Sequence, residues 1–354
     1  MKTVNNLQIN TKVNSPSNNQ FFIHKNYLLS VCNEKKRVNF YDMKTFRRKF
    51  YLKRKRHENK FNSEKWKLLY TKEHKLYLIG YEHEYENELE ENKNNDKNMD
   101  IYLLKIAQRK CVKINSFKYY KIKEDEKEDK LYIYRNNQMF IYNLNINSYE
   151  IKPCEFDLDN NLYWGNLFIT NNYIMFIYFT MVSRWVFSFH FQVKEKDLEN
   201  NQIHSFCPYY CYDEEINYNS AINHLVQLYD NYFSVFSELF NNTRTISFAE
   251  IKIDENAEPL YSPNNKNMFF NEKEITINET GDMNIYPIDN KKCGIAFDCK
   301  NYYICNLTNM EINLKIELNI NEKFYLLKFN DDNDKYQFYL NDDVNKKLLY
   351  ISSY

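Results

Sequence analysis

Glycine is almost absent from this sequence: four residues in 354, at positions 80, 165, 281 and 294. With glycines only there, neither a Gly-x-Ser-x-Gly turn nor a P-loop can be written, and a Gly-rich phosphate cradle is excluded. Net charge is also missing. Lys+Arg and Asp+Glu are both 48, so the basic excess of a general polyanion binder is not there. No long apolar run occurs either. The charge-free stretch Asn160–Ser183 contains five asparagines, and its dense apolar part is only Tyr173–Val182. A spanning helix needs about 20 largely apolar residues, so this stretch reads as a buried strand and no transmembrane segment is expected. Lys2, Asn5, Asn6 and Asn10 interrupt the start of the chain, which argues against a secretory signal. The eight cysteines then read as reduced thiols, and the expected location is cytoplasmic.

What the chain has in quantity is aromatic side chains, with 32 Tyr and 26 Phe in a hydrophobic share of 43%. These residues pack well on a pleated surface and favour strands. Asn and Lys fill most other positions, a bias that an AT-rich genome imposes on any protein, so Asn-rich stretches and chance sequons carry no weight. A short apolar strand followed by a polar turn recurs seven times: Arg37–Asp42, Asp100–Leu104, Met139–Asn143, Arg184–His190, Arg244–Glu250, Asn301–Asn306 and Lys347–Ile351. The spacing of about 40–60 residues is that of propeller blades with variable loops. Each interval holds one or two further strand candidates, among them Phe21–Val31, Lys67–Ile79, Leu162–Ile169 and Phe324–Phe329, and leaves little room for helices. The seventh copy stops three residues before Tyr354, while Asn6–Val13 precedes the first copy with no blade of its own. Pairing the two closes a ring and removes open edges. The expected fold is all-β: one β-propeller over residues 1–354, seven four-stranded blades closed by the N-terminal strand at 6–13.

On these strands and turns the chain resembles the WD-repeat and kelch propeller families over nearly its whole length. The segment Ser30–Asp42 is similar to the last two strands of a WD blade, with Tyr41-Asp42 where Trp-Asp would sit. It departs from both families in having no Gly-His pair, no Trp-Asp pair and no double glycine. The resemblance implies a subunit that binds other proteins in a multiprotein complex, such as an actin-branching, coat, translation-initiation or checkpoint assembly. The first-blade segment most resembles the WD-repeat subunit of the actin-branching complex.

Chemistry-bearing constellations are few. His204, Cys207, Cys211 and His224 are the sharpest metal candidates, since zinc takes thiolate and imidazole in tetrahedral sets. Their order and the neighbouring Tyr209, Tyr210 and Tyr212 favour ordinary packing. Cys293, Cys299 and Cys305 read as buried core residues. Asp157/Asp159 and Glu214/Glu215 are the closest carboxylate pairs, and the Ser-x-Asp-x-Gly-x-Thr-Trp turn of sialidase-type propellers is absent. No catalytic residue, metal or cofactor is therefore expected.

The most uneven feature is basic. Four of nine arginines fall between 47 and 56, in the set Arg47, Arg48, Lys49, Lys53, Arg54, Lys55 and Arg56. Three readings are open: a solvated surface or one facing acidic partners, a contact for phosphate-rich partners (RNA or phosphoinositide) with Phe50 and Tyr51 able to stack, and a targeting tract. The acidic insertion Glu82–Asn98 is too poor in apolar residues to order itself and is expected to be disordered. Lys121–Lys130 reads as a short charged hairpin loop.

Overall fold

The computed structural model describes residues 2–4, 7–14, 19–32, 37–45, 47–54, 65–81, 97–119, 121–125, 127–156, 162–183, 186–198, 204–212, 225–240, 242–253, 268–289, 291–297, 301–317, 324–332, 335–342 and 347–353. Its regular structure is all strand. Two compact units make up the chain, one of Lys12–Phe156 and the other of Met1–Thr11 with Asp157–Tyr354. The first two strands, β1 (Lys2–Val4) and β2 (Leu7–Asn14), join sheets formed far along the chain.

The unit Lys12–Phe156 holds three antiparallel meanders. The first is β3 (Asn19–His24), β4 (Tyr27–Cys32), β5 (Arg37–Asp42) and β6 (Arg48–Arg54). The second is β7 (Lys65–Tyr70), β8 (Leu76–Tyr81), β9 (Lys97–Lys105) and β10 (Lys110–Tyr119), and the third is β11 (Lys121–Asp125), β12 (Lys130–Arg135), β13 (Gln138–Asn143) and β14 (Ser148–Pro153). In the other unit, β15 (Leu162–Ile169), β16 (Tyr173–Ser183), β17 (Val186–Glu195) and β18 (His204–Tyr212) form the fourth sheet. The fifth is β19 (Val226–Tyr229), β20 (Tyr232–Phe240), β21 (Thr243–Ile253) and β22 (Met268–Ile277). The sixth is β23 (Met283–Pro287), β24 (Lys292–Phe297), β25 (Asn301–Asn306) and β26 (Glu311–Glu317), with β1 added in parallel beside β26. The seventh is β27 (Phe324–Asp332), β28 (Lys335–Asp342) and β29 (Lys347–Ser353), completed by β2 beside β29.

Seven successive four-stranded antiparallel meanders, the first two joined through β6 and β10 and the last completed by a strand from the start of the chain, are the strand order of a single seven-bladed β-propeller. The recurrent strands of the sequence occupy one position throughout: β5, β9, β13, β17, β21, β25 and β29 are each the third strand of their sheet. Arg184 and Trp185, in the fourth copy, lie outside the described residues. The apolar stretch Tyr173–Val182 falls in β16, where Ile174 to Tyr178 are all buried. Gly165 sits opposite Tyr178 in β15, and a Cβ there would lie 2.6 Å from the Phe176 ring. Residues 82–96 of the acidic insertion lie outside the described residues, while Lys97 and Asn98 belong to β9.

Asn and Asp do the turn work that glycine does elsewhere. At the end of the third strand Asp42 Oδ1 accepts the amides of Lys44 and Thr45, Asn143 Oδ1 those of Asn145 and Ile146, and Asn306 Oδ1 that of Thr308. Such side-chain bonds close a turn locally. The next residue then donates its amide to the turn between the first two strands of its own sheet: Met43 to Asn26, Leu144 to Asp129 and Leu307 to Lys291. No described glycine has positive φ; Asp129, Asn136, Asn137, Asn147, Asp230 and Asn242 are among the residues that do. Short polar side chains tolerate that region best.

Within each unit, carboxylates on equivalent turns tie one sheet to the next. Asp129 accepts the backbone amide of Lys72 at 3.0 and 3.2 Å, and Asn145 Nδ2 at 2.9 Å. Asp230 accepts the Asn171 amide at 2.6 Å and its Nδ2 at 2.5 Å. Apolar packing follows the same pairing. Val38, Phe40 and Leu52 of the first sheet pack with Trp66, Leu76 and Leu78 of the second, and Ile101 of the second with Leu131 and Ile133 of the third.

Lys121–Asp125 is a strand, not part of a charged loop. Its charges have partners that the sequence pattern hides: Glu124 meets Lys67 Nζ at 2.7 Å, and Asp125 accepts the amides of Lys127 and Glu128. Burial pushes the Glu124 carboxyl up, but the charge and hydrogen bond of Lys67, together with the Lys123 charge and a backbone hydrogen bond, outweigh it and hold the group below the usual carboxylate range. A depressed folded-state value stabilises the protein above the ordinary carboxylate range, and this contribution is lost as pH falls from that range through the lower folded-state value. The Lys67 side chain is 38% exposed, which screens the pair; Lys67→Met is expected to lose about 2 kcal/mol at neutral pH. Part of that loss should return on acidification, because the stranded carboxyl can then protonate; urea unfolding across pH checks this. Asp129→Ala leaves the Lys72 amide and the Asn145 amide group without their acceptor. It is expected to destabilise by about 2–3 kcal/mol in the same assay.

Candidate functional site

The basic tract lies on β6, the last strand of the first sheet, and on the turn before it. Arg47, Arg48, Lys49 and Lys53 are exposed. Arg54 ends β6, while Lys55 and Arg56 lie outside the described residues. Simple alternation along β6 would send Arg48 to the face of Phe50 and Leu52, which packs in the core. A bulge prevents this. Phe40 pairs with Phe50 but Tyr41 pairs with Arg48, so Lys49 is the extra residue. One inserted residue switches the face of what precedes it, and Arg48 joins Tyr51 and Lys53. Its guanidinium lies 6.0 Å from the Tyr51 ring centroid, and that of Arg37 lies 5.5 Å from the same centroid. Lys49 reaches Asp42 at 3.6 Å. The Asp42 carboxyl is held below its ordinary range, first by the Thr45 amide, against the opposing effect of burial, and further by the Thr45 hydroxyl, the Lys44 amide and the Lys49 charge.

The far end of β6 is not an open edge. Lys53 and Arg54 pair in parallel with Lys110 and Cys111 of β10, joining the first and second sheets. Sequence reasoning missed the basic residues this contributes, because Arg37, Lys105, Arg109 and Lys110 lie outside the Arg47–Arg56 tract and only the sheet register brings them to it. Only the alternation around Cys111, buried between two exposed neighbours, marks Lys110 as outward-facing in advance. Arg109 adopts positive φ in the β9–β10 turn and lies 6.0 Å from the Phe50 ring.

A second surface feature lies on the third sheet. Strand β14 is its terminal strand, paired among the described residues only with β13. It carries Tyr149 and Ile151 on one face, and Ile146 precedes it in the turn. Their exposures are 54%, 49% and 70%. Phe117 of β10 meets the Tyr149 ring edge-on at 6.0 Å.

Among the described residues no group of three or more His, Cys, Asp and Glu could hold a metal ion. His204, Cys207 and Cys211 fall in β18 with side chains outside the described residues, and His224 lies wholly outside them. Cys293 and Cys305 are buried opposite one another on β24 and β25, and Cys299 lies outside the described residues. The hydrogen bond with Cys305, together with burial and the neighbouring sulfur, pushes the Cys293 thiol well above its ordinary range. Among the described residues no helix is long and apolar enough to cross a membrane.

No protein-family model matches the sequence, and neither does any curated protein. Solved structures similar to it include the β-propeller domain of Myceliophteria thermophila Cps50 (Swd1), at 8% identity, covering 97% of this chain and 99% of that one with a TM-score of 0.49. Others are U3-55K, at 9% identity over 98% of both chains with a TM-score of 0.47, and the WD40 repeats of RRP9, at 10% identity over 97% and 96% with a TM-score of 0.47.

Cys111, Cys154, Cys293 and Cys305 are buried thiols. They are expected to resist iodoacetamide at pH 8 in the native protein and to label fully once it is unfolded, as read by mass spectrometry; native labelling of Cys293 would contradict the packing described.

Proposed function

We propose that this chain is a non-catalytic scaffold, a cytoplasmic propeller subunit that binds other proteins in a multiprotein complex. The observation that carries this reading is the apolar trio Ile146, Tyr149 and Ile151 on and beside a terminal strand. A terminal strand leaves backbone donors and acceptors free, and an extended segment of a partner can pair with them while alternate side chains set specificity. Large apolar side chains clustered at such an edge mark interaction sites more often than ordinary surface. A chain with few glycines, tight polar turns and satisfied sheet-to-sheet contacts suits a rigid platform.

A second reading attaches to the first sheet. Arg47, Arg48, Lys49 and Lys53 are exposed together beside the half-exposed Tyr51, which favours phosphate-directed binding (RNA or phosphoinositide) through the tract Arg47–Arg56.

The scaffold reading is tested by purifying the tagged full chain from its own cells at high salt and comparing it with the variant Ile146→Ser/Ile151→Ser. A stoichiometric set of proteins that survives high salt and is lost with the variant, at unchanged Tm, is expected. A set retained in full by the variant, or no protein retained by the parent chain, would overturn the assignment.

A further inference from the structure

Four cations stand in one row across four neighbouring strands. Arg37 of β5 is the register partner of Lys53 on β6. Lys53 is the partner of Lys110 on β10, and Lys110 of Lys105 on β9. Register partners point to the same side of a sheet, and like charges placed directly opposite one another are destabilising. Among the described residues none of the four has a carboxylate at ion-pair distance. Lys53, Lys105 and Lys110 are exposed and Arg37 is half-buried, with an Nε that has no hydrogen-bond partner. Elsewhere in the same unit the chain neutralises such groups, as in Lys67 with Glu124 and Lys113 with Asp100 at 2.7 Å. Among the described residues the row is an uncompensated line of positive charge built by the junction of two sheets.

We infer that this row, Lys105–Lys110–Lys53–Arg37, binds the phosphodiester backbone of a single-stranded nucleic acid laid across the strands. The inference rests on the second, phosphate-directed reading above and deepens it, moving the site from a tract along one strand to a line across four. Adjacent strands lie about 4.8 Å apart, so the row spans about 14 Å, the reach of two or three consecutive phosphates. A single extended polyanion can follow such a line of register partners from strand to strand. Planar groups flank it on the same face. Tyr51, two residues from Lys53, is 46% exposed, with the guanidiniums of Arg37 and Arg48 5.5 and 6.0 Å from its ring centroid, planar groups on which bases can stack. An acidic peptide would match the charge and leave those planes unused.

The test is binding of a fluorescent twelve-nucleotide oligouridylate to the full chain, followed across salt. Three neutralised phosphates, at about 0.7 each, give a slope of about 2.1 in log affinity against log salt, so affinity should fall about twentyfold between 50 and 200 mM salt. The double variant Lys105→Ala/Lys110→Ala, left with about one phosphate contact, should bind more weakly and lose only about threefold over that range. Lys53→Glu separates binding from folding: a carboxylate between Arg37 and Lys110 relieves the repulsion, so Tm should rise by about 1–3 °C while oligonucleotide binding is lost. If Arg47→Ala/Arg48→Ala weakens binding and Lys105→Ala/Lys110→Ala does not, the row is wrong and the tract on β6 stands. If the parent chain binds vesicles containing phosphatidylinositol bisphosphate but no oligonucleotide, the nucleic-acid inference is overturned while phosphate recognition survives. If it binds neither, both fall.

Discussion

A four-stranded antiparallel sheet of strongly apolar residues cannot bury both of its faces alone, and the structure within each unit depends on how one sheet is fastened to the next. The fastening is a carboxylate on the turn between the first two strands. Asp129 and Asp230 occupy equivalent turns, share a left-handed backbone conformation and accept an amide from the corresponding turn of the preceding sheet. Asp129 also holds the turn between the last two strands of its own sheet through Asn145. One buried side chain thus fixes a turn, its sheet and the neighbouring sheet. The apolar clusters between sheets supply the larger share of the stabilisation, but without directional bonds they do not choose a register.

That arrangement determines where recognition can occur. The first three strands of a sheet are largely committed to packing, and the last strand is left with one side to offer. On the third sheet that strand presents Ile146, Tyr149 and Ile151. On the first it presents a bulged basic face, and its end is joined by β10 from the second sheet. The join gives backbone pairing and core contacts around Leu52 and Cys111, and it places Lys53 against Lys110. A chain with as many acidic as basic residues had ample means to put a glutamate at one of those positions. Leaving four like charges in line is a local conflict in an otherwise consistent sheet, and such conflicts concentrate at functional sites.

Much of the fold was legible in the residues, because a period-2 aromatic strand followed by an Asx turn is a local signal. The seven recurrent segments all became third strands, where burial on both faces makes the apolar run densest; Arg37–Asp42 and Asn301–Asn306 match β5 and β25 residue for residue. What escaped was non-local. Lys121–Asp125 looked like a loop because its charges find partners 57 residues away at Lys67 or in its own turn. The basic tract on β6 was visible as a cluster, but the bulge that turns Arg48 outward and the parallel pairing that brings Lys110 beside Lys53 arise only from sheet register. The apolar edge at Ile146, Tyr149 and Ile151 was equally hidden, since an alternating strand looks the same whether its apolar face is covered or bare.

The most direct measurement is hydrogen–deuterium exchange of the full chain with and without a short single-stranded RNA. The account predicts slower exchange confined to β5, β6 and the β9–β10 hairpin around Lys105–Cys111, with the seven-sheet framework otherwise unchanged. Protection elsewhere, or none at concentrations where binding is complete, would contradict the assignment of the charged row as the site.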